Sequence, residues 1–418
     1  MNQVKQTLID HMQGLEIIDS HEHLHPESMR LDRQVDVLTL VSLYAWYDIM
    51  SAGLPTDDIS TAIGANYLLD TSVPLEERWD RVSPYLQQIK HGSYYRPTAI
   101  ALKDIYGIDD LNESTYRRAS ELIASVNTKG LYRQILRDRC GIKTCLVQNG
   151  RIQDQDPPEL FTPLFSWLLT YRFENTTFIE SLGKYNGVQI TDLDTYFELF
   201  RKHLEDARKK GAVGYKISAN KHVEPDMDAA RTAFKALLKG EPAAPVLQST
   251  TLDFVLRLAA EWDWPVAVHC GIWHDYRTVD PKNIIDTVIK HPKVRFDLYH
   301  LGMPFVRDCI FIAKNFPNAY LNLCWCYAIS QEMTRRAINE ILDTVPINKI
   351  FGFGADYIWA VENVYGHLVM ARETIAEALS ERIAGGRLNI DCAKHITNLW
   401  LHDNPARFYN LDHTGDNQ

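Results

Sequence analysis

The sequence lacks an excess of basic residues: 44 lysines and arginines stand against 54 aspartates and glutamates, which gives a formal net charge of -10. Surfaces that bind nucleic acid are usually basic, so the composition argues against a nucleic-acid partner. A long apolar run is missing too, because nowhere do about 18 apolar residues follow one another as a membrane-spanning helix requires. Small neutral or anionic molecules remain as partners, provided that a metal ion supplies local positive charge.

Two features of secreted proteins are also absent from the sequence. The first residues, MNQVKQTLIDHMQG, are polar, whereas a signal peptide carries an apolar core of about 7–15 residues. The seven cysteines are odd in number and scattered along the chain, whereas disulfide frameworks are built from paired cysteines at regular spacings. We therefore predict a reduced, cytoplasmic protein.

What the sequence does contain is a series of eight short apolar runs, several of which end in polar or reactive residues. The later runs alternate with helical patterns such as SQEMTRRAINEILDTV (330–345), and this alternation predicts βαβ units around a parallel sheet. Eight units predict an α/β fold of the (β/α)8, or TIM-barrel, class, whose buried strands are near-continuously apolar. The runs are LEIIDSH (15–21), GIKTCLVQNG (141–150), SWLLTYRFE (166–174), GAVGYKISAN (211–220), WPVAVHCG (264–271), KVRFDLYHLG (293–302), NAYLNLCWCY (318–327) and NKIFGFGADY (348–357).

Residues 28–140 do not show this alternation of strands and helices. They contain helical stretches such as STYRRASELIASVN and LYRQILRDR, with aromatic punctuation such as YAWYD and GSYYRP. We predict that this segment is a mainly helical insertion after the first strand, and that it caps the barrel mouth. On this interpretation residues 1–418 form one domain around one barrel.

Side chains of the types that bind metals follow five of the predicted strands. The carboxyl ends of barrel strands face one shared cleft, and chance would rarely place so many ligand-type groups there. For IIDSHEHLHPE alone, a polar turn rich in histidine is an equal alternative to a metal site. Imidazole nitrogens suit zinc and other first-row metals, and a carboxylate adds an anionic oxygen. The groups are His21, His23, Lys216, His269, His300 and Asp356.

The individual groups differ in how firmly their chemistry is indicated. His21 and His23 stand two apart on a strand, so both side chains face the barrel axis. Asp19 lies one step deeper on the same face, where it could brace a histidine ring. A buried Asp356 needs a nearby cation and is the natural anionic ligand or general base. Lys216 either pairs with a carboxylate or, made neutral by burial, takes up CO2 and bridges two metal ions as a carbamate.

Further residues beyond the strand ends are of types that bind small molecules. Arginine binds carboxylates through two parallel hydrogen bonds, so an arginine among them suits an acidic substrate. Packing within the loop layer is the alternative for each. The predicted substrate-binding residues are Arg172, His274, Arg277, Trp325, Tyr327, Tyr357 and Trp359.

The order of these groups resembles that of the amidohydrolase superfamily of metal-dependent TIM barrels. That superfamily carries His-x-His on its first strand, Lys on the fourth, His on the fifth and sixth, and Asp on the eighth. Stretches such as FDLYHLGMP and NPARFYNL are similar to the amidohydrolase 2 branch, and in particular to the amidohydrolase-like part of nodulin and glutamine-synthetase fusion proteins. The branch also includes decarboxylases, lactonases and uronate isomerases.

The resemblance implies one or two divalent ions, most often zinc, and a small-molecule substrate. In the hydrolytic form of the chemistry, metal-bound water attacks an amide, lactone or ester. Asp356 accepts its proton, and His300 either binds the metal or polarises the substrate. Decarboxylation and uronate isomerisation are alternatives on the same barrel, since one fold hosts many reactions. A non-enzymatic metal-binding barrel is a third interpretation. The sequence is also compatible with a homo-oligomer.

Overall fold

The computed structural model describes residues 2–55, 66–148, 158–166, 173, 175–272 and 275–411. Within these ranges the strands are short and buried, and every pairing between them is parallel. They are β1 (Ile17–Glu22), β2 (Ile142–Val147), β3 (Phe161–Pro163), β4 (Phe165–Ser166), β5 (Tyr215–Ser218), β6 (Val266–His269), β7 (Phe296–Leu298), β8 (Ala319–Asn322) and β9 (Ile350–Phe351).

The strands close into a barrel. They pair in the orders β1-β2-β3 and β4-β5-β6-β7-β8-β9. Only Leu164 separates β3 from β4, so these two form one barrel position that joins the two orders. Backbone bonds between β1 and the segment after β9 complete the ring, from Ser20 N to Phe353 O (3.1 Å) and from Asp356 N to His21 O (3.0 Å). The predicted TIM barrel is confirmed.

The third barrel strand begins earlier than the sequence predicts. The sequence predicts 166–174, whereas the structure already pairs Phe161 with Cys145 of β2 and Phe165 with Tyr215 of β5. Pro163 interrupts the apolar pattern here, and proline at such a position argues against a central strand. The longer run that follows falls mostly outside the described residues.

Several helices occupy the segment predicted to be an insertion. Asp36 begins one of them: its carboxylate accepts Leu38 N (2.9 Å), as a helix N-cap does. Pro74 precedes another, whose buried residues recur at helical spacing. The helices are Glu27–Leu31, Val37–Val41, Tyr44–Ser51, Leu75–Ile89, Arg96–Tyr106 and Tyr116–Val126, with a 3-10 turn at Tyr67–Leu69 and a π-helical segment at Arg133–Arg139.

The remaining helices surround the barrel, and those predicted between the later strands are present. Ser330 caps one of them by accepting Met333 N (3.2 Å). The α-helices are Asn2–Gln13, Thr177–Asn186, Leu193–Lys209, Met227–Leu237, Pro245–Trp262, Ile285–Lys290, Val306–Asn315, Cys326–Ile329, Gln331–Thr344, Val361–Ala384, Ile390–Asn398 and Asn404–Phe408. Shorter 3-10 or π segments lie at Tyr276–Val279, Pro281–Ile284, Tyr299–Gly302, Ile347–Lys349 and Leu399–Asp403. Among the helices described, none combines the length and apolarity needed to cross a membrane.

The inserted helices join the barrel through close backbone contact and a buried ion pair. The helix Val361–Ala384 packs against Arg96–Tyr106. At their contact, a Cβ on Gly366 would lie 2.1 Å from Pro97 O. Nearby, Arg30 of the insertion forms a fully buried ion pair with Glu362 (2.7 Å).

This contact predicts that Gly366→Ala destabilises the fold. The methyl group must displace backbone, and overpacking of this kind typically costs about 1–3 kcal/mol. Urea unfolding of the purified protein measures the change. Gly385→Ala is the control, because Gly385 has φ -79° and its nearest Cβ neighbour would be Glu381 O at 3.4 Å. Equal stability of the two variants would contradict the close contact.

Candidate metal centre

Three buried side chains from different parts of the barrel form a cluster of potential metal ligands. The ligand atoms of His21, His300 and Asp356 all lie within 4.8 Å of one another. His21 comes from β1, His300 from the turn after β7, and Asp356 from the loop after β9. The Oδ1 atom of Asp356 lies 3.2 Å from His21 Nε2 and 3.6 Å from His23 Nε2. The structure thus brings the first and last predicted strand ends together.

The backbone holds two of these residues in an uncommon conformation. His300 has φ 61° and Asp356 has φ 67°. Both lie in the left-handed region, where a residue other than glycine typically raises the conformational energy of the backbone by about 1–3 kcal/mol. Asp356 N donates to His21 O, and Asp356 O accepts the Tyr44 hydroxyl. The residue is therefore held in place from β1 and from the inserted helices.

Backbone contacts orient two of the histidine rings. His23 Nδ1 lies 3.1 Å from Gln148 O, and His300 Nδ1 lies 3.1 Å from Cys324 O. The Nε2 atoms of His300 and His269 are buried, and neither has a hydrogen-bond partner among the described residues. Buried polar atoms normally have partners, and a metal ion would provide one. The residues present therefore fit a divalent metal.

The surroundings of four histidines favour the neutral form that binds metals. Burial lowers the pKa of His21, His23, His269 and His300, and the pKa of His269 falls to about 3. The positive charge of Lys216 lowers all four pKa values further. Neutral imidazole is the form that coordinates a cation. The centroids of the His269 and His300 rings lie 5.0 Å apart, so His269, at the end of β6, borders the cluster.

Lys216 is engaged by neutral groups. Its Nζ donates to Gln148 Oε1 at 2.8 Å and lies 4.2 Å from the centre of the Tyr299 ring. Gln148 Nε2 in turn donates to the Tyr299 hydroxyl at 2.8 Å. Burial lowers the pKa of Lys216 to about 8. Sequence reasoning missed Gln148, although it directly follows β2, the strand whose end had no assigned group.

Two buried carboxylates support the backbone beneath the cluster. Asp19 Oδ1 accepts the backbone N–H groups of His21 (3.2 Å) and Ala355 (3.3 Å), so the brace predicted for a histidine ring is instead made to the main chain. Glu22 Oε2 accepts the backbone N–H groups of Tyr357 (2.8 Å) and His23 (3.2 Å). Burial raises the pKa of Asp19 to about 7. Together the pair ties β1 to the chain after β9.

Aromatic side chains border the cluster. The Trp325 ring lies 5.1 Å from that of His300. Tyr44, which sequence reasoning did not single out, has its ring 4.6 Å from Trp325 and 5.5 Å from Tyr357. Only the docking of the inserted helices brings Tyr44 to this place. These rings form an aromatic border on one side of the predicted metal site.

The structure places the other predicted substrate-binding residues in different surroundings, from the buried core to the exposed surface. Tyr327 is buried and donates to Gly352 O (2.7 Å), a packing contact. Arg277 is 82% exposed and paired with Asp275 (2.7 Å). The Trp359 ring packs against that of His25, with centroids 4.2 Å apart and the ring planes tilted by 37°. Arg172 and His274 lie outside the described residues.

The chain is similar to several known proteins. A family model described as Amidohydrolase matches residues 183–411. The uronate isomerase of Bacillus licheniformis is 22% identical over 307 residues, which are 66% of this chain and 62% of that protein. Protein fluG of Emericella nidulans is 22% identical over 157 residues, which are 35% of this chain and 18% of that protein. The chain thus spans less than two thirds of the length of either relative.

Two crystal structures share the whole architecture. The uronate isomerase of Thermotoga maritima is 15% identical with a TM-score of 0.80, covering 98% of this chain and 98% of that one. The glucuronate isomerase of Caulobacter crescentus is 17% identical with a TM-score of 0.81, and the match covers 99% of this chain and 95% of that one. At these identities the likeness establishes a common fold, while the family model covers more than half of the sequence. The chain belongs to the amidohydrolase family.

Proposed function

We propose that this chain is a metal-dependent isomerase that interconverts the aldose and ketose forms of a uronate, a sugar acid. Uronate isomerisation is one of the alternatives to hydrolysis that the sequence left open, the other being decarboxylation. The observation that carries the proposal is the extent of its likeness to the two isomerase structures, which covers 98% and 99% of this chain. The inserted helices are therefore included, and they supply Tyr44 beside the candidate centre. The relative from Bacillus licheniformis is also a uronate isomerase.

The reaction needs a site that moves protons without consuming water. The hydrogen on C2 of the aldose moves to C1 as a proton, and the hydroxyl proton on O2 moves to O1. The carbonyl thereby shifts from C1 to C2, and no oxidant or reductant is required. A bound divalent metal would polarise the carbonyl and hydroxyl oxygens of the sugar.

In this proposal each residue of the cluster has a defined task. His21, His300 and Asp356 would hold the metal, with His23 and His269 beside them. Asp356 also accepts the proton from C2 and returns it at C1, because its carboxylate is the one anionic group of the three and can act as a general base.

The contacts of Lys216 support a centre with one metal ion. The amine donates to an amide oxygen and lies over an aromatic face, and both contacts favour an ammonium or a free amine. A carbamate at Nζ would be anionic and would place oxygens against Gln148 Oε1. We therefore propose that Lys216 stays unmodified. Zinc remains a prediction for the identity of the ion.

Product analysis on several substrates tests the proposal. The metal-loaded protein is incubated with D-glucuronate and D-galacturonate, and proton NMR follows the sugar. We expect the corresponding ketose acids to form, whereas D-glucose, which lacks the carboxylate, should remain unconverted. A panel of sugar lactones and N-acyl amines tests hydrolysis in parallel. Hydrolysis of that panel without any uronate conversion would replace the isomerase by a hydrolase.

A further inference from the structure

We infer that Arg33, on the inserted segment, binds the carboxylate of the substrate at the barrel mouth and so selects for acids. Arg33 follows the helix Glu27–Leu31. Sequence reasoning placed the carboxylate-binding arginine at Arg172 or Arg277 instead. That the acid is a uronate rests on the proposed function, but the preference for a carboxylate does not.

The position of Arg33 follows from a stack of three side chains beside the candidate metal centre, formed by Arg33, Trp359 and His25, in which the two rings are tilted by 37° rather than parallel. Its guanidinium carbon lies 4.3 Å from the centre of the Trp359 ring, and that ring lies 4.2 Å from the ring of His25. Trp359 stands three residues after Asp356, and His25 stands two residues after His23. His25 N also bonds to Ile358 O (3.1 Å). The stack therefore stands where the first and last barrel strands deliver their ligands.

Contacts of Arg30 and Glu27 hold the residues of the stack in place. Arg30 Nη1 donates to the backbone oxygen of Trp359 at 2.7 Å, and the same guanidinium is paired with buried Glu362. Glu27 accepts the backbone N–H groups of Tyr132 (2.8 Å) and Gly130 (3.0 Å). These contacts hold the short helix that leads into Arg33. A cation presented from a fixed element loses less entropy when it binds a ligand.

The charge of Arg33 is not neutralised within the described part of the chain. The side chain is half-buried, yet no carboxylate of a described residue forms an ion pair with it. Arg30, Arg78 and Arg277 each have such a partner. Burial without a counter-charge lowers the pKa of Arg33. A substrate carboxylate would supply the missing charge.

The geometry of the stack also suits a carboxylate. A guanidinium that lies over an indole keeps its N–H groups at its edge. That edge can donate two parallel hydrogen bonds to one carboxylate. Arg277, by contrast, is 82% exposed and already held by Asp275, so its attraction for an acid is screened and partly cancelled. Among the described arginines, Arg33 combines free charge with a place at the strand ends.

Binding of a matched pair of sugars tests the inference without requiring turnover. Titration calorimetry with the metal-loaded protein compares D-gluconate with D-glucitol, which carries a hydroxymethyl group in place of the carboxylate. We expect the wild-type protein to bind D-gluconate at least about tenfold more tightly, as expected for a hydrogen bond between charged groups. Arg33→Gln should abolish the preference, and Arg33→Lys should keep part of it because the charge remains. Equal affinity of wild-type protein for both sugars, or an unchanged preference in Arg33→Gln, overturns the inference.

The control removes a similar arginine elsewhere in the inserted segment. Arg81 lies over the Tyr67 ring at 5.0 Å, and Arg81→Gln should leave the preference for D-gluconate intact. If the uronates are isomerised, Arg33→Gln should raise KM for D-glucuronate about tenfold or more and change kcat by less. If they are not isomerised but the preference for D-gluconate depends on Arg33, the proposed function fails while the carboxylate site stands.

Discussion

Asp356→Asn is expected to lower kcat/KM for D-glucuronate by about 10²- to 10⁴-fold, the usual contribution of a positioned acid–base group. The asparagine amide has nearly the same shape, but it cannot take up the proton from C2 and is a weaker metal ligand. The carboxylate lies against His21 Nε2 and His23 Nε2 at 3.2 and 3.6 Å, so its negative charge acts at the centre of the cluster. Initial rates of ketose formation by the metal-loaded variant measure the effect.

Two further measurements separate loss of chemistry from loss of fold. Circular dichroism and urea unfolding should show that Asp356→Asn remains folded. Asp228→Asn is the matched control, because the Asp228 side chain is 94% exposed on an outer helix and its replacement should leave the rate unchanged. Turnover by Asp356→Asn at the wild-type rate would remove Asp356 from the mechanism.

Arg30→Met is expected to destabilise the protein by about 3–5 kcal/mol, the usual cost of removing one partner from a buried ion pair. Arg30 donates to both carboxylate oxygens of Glu362, at 2.8 and 2.7 Å, and both side chains are fully buried. Without it, Glu362 keeps the Tyr106 hydroxyl at 3.0 Å as a partner but loses its counter-charge. Urea unfolding followed by tryptophan fluorescence measures the change in the free energy of unfolding.

A surface pair provides the control for this effect. Arg307 forms an ion pair with Glu340 at 2.8 Å, but its side chain is 79% exposed, and exposed pairs contribute about 0–1 kcal/mol. Arg307→Met should therefore be nearly neutral. Arg30→Met combined with Glu362→Leu should recover part of the lost stability, because no uncompensated charge remains buried. Equal losses of unfolding free energy in Arg30→Met and Arg307→Met would show that the buried ion pair contributes no more to stability than the exposed one.

Most of the barrel could be predicted because buried parallel strands have a distinct sequence pattern. The runs around β1, β5 and β6 are apolar, short and bounded by turn residues, and each lies where it was expected. The start of the third barrel strand was misplaced because Pro163 interrupts the apolar pattern of its described part, Phe161–Pro163 and Phe165–Ser166. These residues are held by pairing with β2 and β5, which the local sequence does not show.

The candidate site was predictable only in part, for a similar reason. Fold topology alone brings His21, His300 and Asp356 to the same end of the barrel, so their positions at strand ends were sufficient. Gln148 and Arg33 depend on contacts between distant segments, and neither belongs to a recognisable motif. The state of Lys216 stayed open in the sequence because it depends on the amide that faces it.

We propose that the cluster at the strand ends holds one metal ion that supports isomerisation. A titration of the chelated, metal-free protein with Zn²⁺ or Mn²⁺, while ketose formation from D-glucuronate is followed, tests this proposal. A one-metal centre predicts no activity without metal and a rise that saturates at one ion per chain. Full activity in the metal-free protein would contradict the claim, and saturation only at two ions per chain would contradict the single-metal centre.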